Sequence, residues 1–177
     1  MGTFLKRGAL CARPTIVPKC FATHIYRAGF RPPRYHHTFN FTWRIILLNH
    51  VMIGTNDIER SKQFYDAVLG LLGAGEAARN VAASGHTRLF YRHDGSTFIV
   101  SEPINDEPAT AANGGTVGFK CASPEQVQEF HDVAIAHGGQ SVEAPPGPRD
   151  TPAGAVWLSY VRDPDGNKLC GLYRPKA

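Results

Sequence analysis

The chain repeats itself, and no other feature constrains its fold as much. One stretch runs NHVMIG, then TNDIERSKQFYDAVLG, then TRLFYRHDGSTFIVSEP; a later one runs GTVGFK, then CASPEQVQEFHDVAIAHGG, then AVWLSYVRDPDGNKLCGLY. Each gives a short apolar strand, a helix and a later β-hairpin, in the same order. Val51 and Val117 stand 66 residues apart, as do Phe64 and Phe130; Gly70 and Gly138 are 68 apart, and the Asp-Gly pairs at 94–95 and 165–166 are 71 apart. Loop insertions account for the small drift. A duplicated unit buries its apolar face against its copy, so the repeat predicts two matching halves around shared apolar surface.

Local signals support each element. Asn56 lies three residues before Glu59 and Ser123 three before Gln126, so each helix begins with a side chain able to cap a free amide and a partner able to reach back. Pro124 suits a first helical position, where its missing N–H has no helical partner anyway. Gly70 and the pair Gly138-Gly139 are expected to close the two helices. Ile58, Tyr65 and Val68, with Phe64 beside them, outline one helix face; Val127, Phe130, Ala134 and His137 outline the other. Asp94-Gly95 and Asp165-Gly166 sit between β-rich runs and tolerate the positive φ of tight hairpin turns.

Charge divides the chain. Residues 1–44 hold eight Lys or Arg and no acid, whereas residues 45–177 carry the other 11 cations against all 15 Asp and Glu, a net of −4. The formal +4 of the whole chain therefore belongs to its beginning. Three readings of residues 1–44 stand: a non-functional or disordered basic extension, a targeting segment, or a binding arm. Residues 45–177 read as the folded domain, with modules at about 47–104 and 114–174. With 42% apolar residues in the chain, that length supports a real core.

Several function classes are disfavoured. The longest aliphatic run, Ile45 to Leu48, falls far short of the roughly 20 residues of a membrane span, and the expectation is a cytoplasmic protein with no membrane or nucleic-acid partner. The four cysteines show neither CxxC nor zinc-knuckle spacing. His131 and His137 lack the HExxH spacing, and there is no Walker loop, dinucleotide fingerprint or GxSxG elbow.

A tandem repeat of this kind, opening on LLNHVMIGTNDIERSKQFYDAVLGLL and closing on VRDPDGNKLCGLYRP, resembles the vicinal oxygen chelate superfamily. That group holds glyoxalase I, bleomycin and fosfomycin resistance proteins and extradiol dioxygenases. The resemblance implies an α+β fold of two βαβββ modules whose curved sheets surround a cleft, and a homodimer. It also implies that each half contributes two inward positions to a metal site, one on its first strand and one on its last. His50 matches the first position and Thr116 is its symmetry mate; Cys170 stands where a glutamate is usual, and the fourth position is Ile99, Val100 or Ser101.

That set is a poor divalent-metal site, which needs about three imidazoles or carboxylates. The expectation is no cofactor, with a divalent metal held by His50, and by Glu102 if the strand bulges, as the alternative. Without metal, His50 and Cys170 are the catalytic candidates: His50 as a general base, or holding Cys170 as thiolate. The other reading is that Cys170 fills space and His50 hydrogen-bonds a ligand. Arg149, in the stiff loop EAPPGPRDTPAG, is a candidate anchor for a carboxylate or phosphate. Ser101, Thr116, Trp157 and Tyr160 complete the substrate-binding candidates, and Tyr91 and Phe98 are further possible walls. Three functions follow: a lyase- or isomerase-like enzyme on a small polar metabolite, a drug-sequestering binding protein, and a metal-dependent glyoxalase or dioxygenase.

Overall fold

The structure is a computed structural model that describes residues 48–152 and 154–176. The readings of residues 1–44 lie outside the described residues. The first module runs β1 (His50–Gly54), α1 (Ile58–Leu71), β2 (Ala78–Val81), β3 (Thr87–His93) and β4 (Ser96–Ser101). The second runs β5 (Val117–Lys120), α2 (Pro124–Ala136), β6 (Gln140–Ser141), β7 (Gly147–Thr151), β8 (Gly154–Arg162) and β9 (Lys168–Tyr173). Sheet 1 has the order β1-β4-β3-β2; sheet 2 has the order β5-β9-β8-β6, with β7 on β8. In both, the first strand lies parallel to the last and the remaining pairs are antiparallel. The same module is thus built twice, and no strand pairing joins the sheets among the described residues.

The helices form for the reasons their ends suggest, with two corrections. At α2, Ser123 accepts the amide of Gln126 at 3.2 Å, and the Gln126 carboxamide accepts the amide of Ala122 at 2.7 Å. At α1 the cap is Asp57, which accepts the Arg60 amide at 3.0 Å, and not Asn56. Asn56 is engaged elsewhere, bridging Ala109 and Asp165. Gly70 does not close α1 either. It lies inside the helix, and the left-handed residue is Gly73 at φ +90°, matching Gly138 at φ +92° after α2.

Both helices bury their apolar faces in one continuous core. Phe64, Tyr65, Val68 and Leu69 of α1 and Val127, Phe130 and Ala134 of α2 are buried, joined by Leu89, Tyr91, Phe98 and Val100 of sheet 1 and Val161 and Leu169 of sheet 2. Burying one such large side chain stabilises by about 2–3 kcal/mol. α1 packs on β3 and β4, α2 packs on sheet 2, and the helices pack on each other. Rings run across the junction: Tyr65 to Phe98 at 5.1 Å, Phe98 to Phe119 at 5.3 Å, and Phe119 to Phe130 at 6.1 Å. Gly171 lets α2 approach β9, because a Cβ there would lie 2.8 Å from the Phe130 ring.

The two Asp-Gly turns differ. Asp94 and Gly95, at φ 44° and 78°, make the two-residue left-handed turn expected between β3 and β4. Between β8 and β9 the connection is longer, and only Gly166 has positive φ. Asp163 organises it by accepting the amides of Asp165 at 3.0 Å and Asn167 at 2.7 Å. The turn then docks on the other module. Asp165 accepts from Thr55 Oγ1 at 2.7 Å, the Asn56 amide at 3.0 Å and Arg60 Nη2 at 2.8 Å, and Asp163 accepts the Tyr65 hydroxyl at 2.7 Å.

Candidate functional site

Strand alternation gives each sheet a helix face and an open face, and pairing register says which residues share the open one. On sheet 1 the open face has three rows: His50, Thr97 and Arg92; then Met52, Ile99, Phe90 and Ala78; then Gly54, Ser101, Arg88 and Asn80. An apolar stripe therefore lies between two polar rows, each with one arginine. On sheet 2 the central row is Gly118, Cys170 and Tyr160. Of the three alternatives for the fourth position, Ile99 and Ser101 lie on the open face and Val100 on the helix face.

The candidate residues fall into separate places. His50 is exposed, with Nδ1 3.0 Å from the Asn49 side-chain oxygen. Cys170 is buried, and its thiol donates to the Gly171 carbonyl at 3.7 Å beside Tyr160. Burial pushes that thiol above its ordinary range, although the Tyr160 hydroxyl pulls the other way. Nothing in these contacts couples Cys170 to His50 within one chain. Thr116 is exposed just before β5 and lines a 370 Å³ hollow with Gly114, Gly115, Arg162 and Lys168.

The remaining candidates are held by structural contacts. Ser101 donates its hydroxyl to the Glu102 carbonyl at 2.8 Å, and the Glu102 carboxylate accepts the Thr87 amide. Trp157 packs against the helix-side core, which leaves Tyr160 on the open face, with the Lys168 ammonium 4.6 Å from its ring centre. Arg149 directs two nitrogens to the carbonyls of Pro145 and Pro148, at 2.8 and 2.9 Å, and so braces its own loop. Tyr91 and Phe98 belong to the core, and Tyr91 donates to Asp66 at 3.0 Å.

A cavity of about 540 Å³ lies along the seam between the edge strands β1 and β5. Its wall mixes apolar side chains (Leu69, Leu72, Phe98, Phe119) with His50, Thr97, Lys120 and Gln126. Cavities of this size and mixed lining are typical of small-molecule sites. Arg88, Phe90, Arg92 and Thr97 are the open-face residues that sequence reading passed over. Alternation in TRLFYRH puts the Arg-Phe-Arg positions on one side of a strand; the sequence lacks only the knowledge of which side is open.

The donor set does not fit a divalent metal. The four matching positions offer His50, Ile99 or Ser101, Thr116 and Cys170, and Cys170 is held as a neutral thiol. Among the described residues no three His, Cys, Asp or Glu gather around a common point.

Among the described residues, two helices and two sheets built from a repeated βαβββ-type module, with open sheet faces and a cavity at the seam, define a paired-module α+β protein. Residues 47–170 match the family model described as the Glyoxalase/Bleomycin resistance protein/Dioxygenase superfamily, and the chain belongs to that family. It is similar to the crystal structure of a glyoxalase/bleomycin resistance protein from Albidiferax ferrireducens T118, with 51% identity over 73% of this chain and 100% of that one, and a TM-score of 0.68. The fold also matches a glyoxalase-related enzyme from Fulvimarina pelagi, at 21% identity, 72% and 88% coverage and a TM-score of 0.53. A glyoxalase/bleomycin resistance protein/dioxygenase family enzyme from Burkholderia phytofirmans PsJN matches at 18% identity, 71% and 96% coverage and a TM-score of 0.52. No curated protein matches the chain. No helix among the described residues is long and apolar enough to cross a membrane.

Proposed function

We propose that the protein binds a small polar metabolite along the β1–β5 seam and acts on it, as a lyase or isomerase does, through proton transfer by His50 without a metal. The observation that carries this reading is the seam cavity with an exposed imidazole in its wall. His50 Nδ1 faces Asn49, which leaves Nε2 to give or take a proton. The protein acts as a homodimer, in which a second copy brings another open face to the site; family resemblance supports that assembly. Cys170, buried and neutral, fits a packing role better than a nucleophilic one. That observation also supports a second reading, ligand sequestration without chemistry.

One comparison of wild type with His50→Ala tests these readings. Small polar metabolites are screened by calorimetry and their conversion followed by NMR. The expected outcome is binding that persists in the variant while turnover falls about 10²- to 10⁴-fold, the usual weight of general acid–base catalysis. Binding without turnover in the wild type selects sequestration, and turnover unchanged in His50→Ala sinks the proton-transfer role. Added Ni, Zn, Mn or Fe should leave melting and activity unchanged. A stoichiometric ion that raises both would overturn the metal-free reading.

A further inference from the structure

Two arginines of sheet 1 stand apart. Arg60 pairs with Asp165 and Arg79 with Glu59, while Arg149 and Arg162 bond loop carbonyls. Arg88 and Arg92 pair with no carboxylate among the described residues. Both point their guanidinium groups at Phe90, the residue between them on the open face of sheet 1, at 5.8 and 5.1 Å from its ring centre. Arg88 also donates from Nη2 to the side-chain Oδ1 of Asn80 at 2.8 Å. Its Nε is sealed from water and has no acceptor.

These facts describe a cationic site lacking its counter-charge. A guanidinium carries five N–H donors in a fixed fork and stays charged at any working pH. Each guanidinium is attracted to the face of the ring between them, but that contact uses none of its N–H donors and neutralises none of its charge. The three open-face rows contain no Asp or Glu, although residues 45–177 as a whole carry more acids than bases. Scarcity of acid in the domain therefore does not explain why these rows hold none.

We infer that the Arg88–Phe90–Arg92 face of sheet 1 binds a small organic oxyanion, a carboxylate or a phosphate, between its two guanidinium groups. Arg92 is in register with Thr97, and Thr97 with His50, so one of the two guanidinium groups stands at the end of a row whose other end is the imidazole. Thr97 and His50 also line the seam cavity, which leaves room for the rest of the ligand. This deepens the functional reading above and rests on it for the ligand's body: the arginines hold the charged end, and His50 meets the part that reacts.

The test uses the full chain with succinate and with inorganic phosphate as probes, and chloride at matched ionic strength as control. Wild type is expected to bind at least one probe saturably by calorimetry; which one distinguishes a carboxylate from a phosphate ligand. Arg92→Gln is the decisive variant, because Phe90 is the partner its guanidinium meets and the fold does not lean on it. Affinity should fall about tenfold or more, the scale of one charge-assisted contact. Arg92→Lys should recover only part of that, since it keeps the charge and loses the fork. The double variant with Arg88→Gln should show no saturable binding. Absence of saturable binding in wild type, or equal binding in the double variant, overturns the inference. Failure of the two readings is separable: probes that bind wild type and the double arginine variant alike, or bind neither, while a metabolite still binds at the seam, remove the anion site and keep the seam. A probe lost only with the arginines, with no metabolite bound at the seam, does the reverse.

Discussion

At the scale of single residues, Cys170 shows how position and environment separate. Its place in the sequence matches a ligand position, but its thiol is buried on the open side of β9 and burial pushes its pKa up. A raised thiol pKa means less thiolate at any given pH, so reactivity at neutrality is suppressed. Cys170 should therefore react with iodoacetamide at pH 7 well below the rate of a free thiol, accelerating only above the ordinary thiol range near 8.5. Peptide mapping by mass spectrometry reads this directly. Fast modification at pH 7 that disappears in His50→Ala would restore the thiolate pair. The sequence revealed the candidates by type, because side-chain chemistry is local. It did not reveal that Arg149, Ser101 and Glu102 are engaged by backbone groups, or that Trp157 faces the core, because those contacts depend on register and loop path.

At the scale of elements, the β8–β9 turn is the most informative. The stretch DPDG belongs to one of the two segments that carry the resemblance, and its work is to join modules. Burial would push the Asp165 carboxyl up, but hydrogen bonds from Thr55 and Asn56 and the charge of Arg60 more than offset it and hold it below the ordinary range. A carboxyl depressed on folding contributes stability above its unfolded pKa of about 3.9, and that contribution is lost as pH falls through the folded value. Asp165→Asn should cost about 2–3 kcal/mol at pH 7, since a charged acceptor of several donors is replaced by a neutral one. It should also flatten the loss of stability below about pH 4. Urea melts of both proteins at several pH values check this, and parallel pH curves would show that Asp165 is not the titrating clamp. Helix positions and the Asp94-Gly95 hairpin were legible because capping and turn chemistry are local. The α1 cap was misread because Asn56 and Asp57 are both good caps, and the choice was made by Asp165, over a hundred residues away.

At the scale of the whole molecule, the repeat was visible in the sequence but the coupling between its halves was not. Residues 66 apart do occupy equivalent places: Phe64 and Phe130 are both fully buried, each on its module's helix. What joins the modules is a set of contacts that neither copy could predict alone. Phe119 stands at that junction, between Phe98 of sheet 1 and Phe130 of α2. Removing its ring by Phe119→Ala should cost about 2–3 kcal/mol, less than a fully enclosed phenylalanine because it is only partly buried. If the core is one cooperative unit, the loss falls on both modules together. Hydrogen exchange on the full chain should then show amides of β4 and β9 losing protection by similar factors, with one calorimetric transition. Loss confined to the second module, or a split transition, would mean that the modules fold separately and only touch. The outcome bears on function too, because the seam cavity is walled by β1 on one side and β5 on the other. A ligand bound there makes contact with both halves, so it should raise the stability of both by the same amount only if the halves already melt as one.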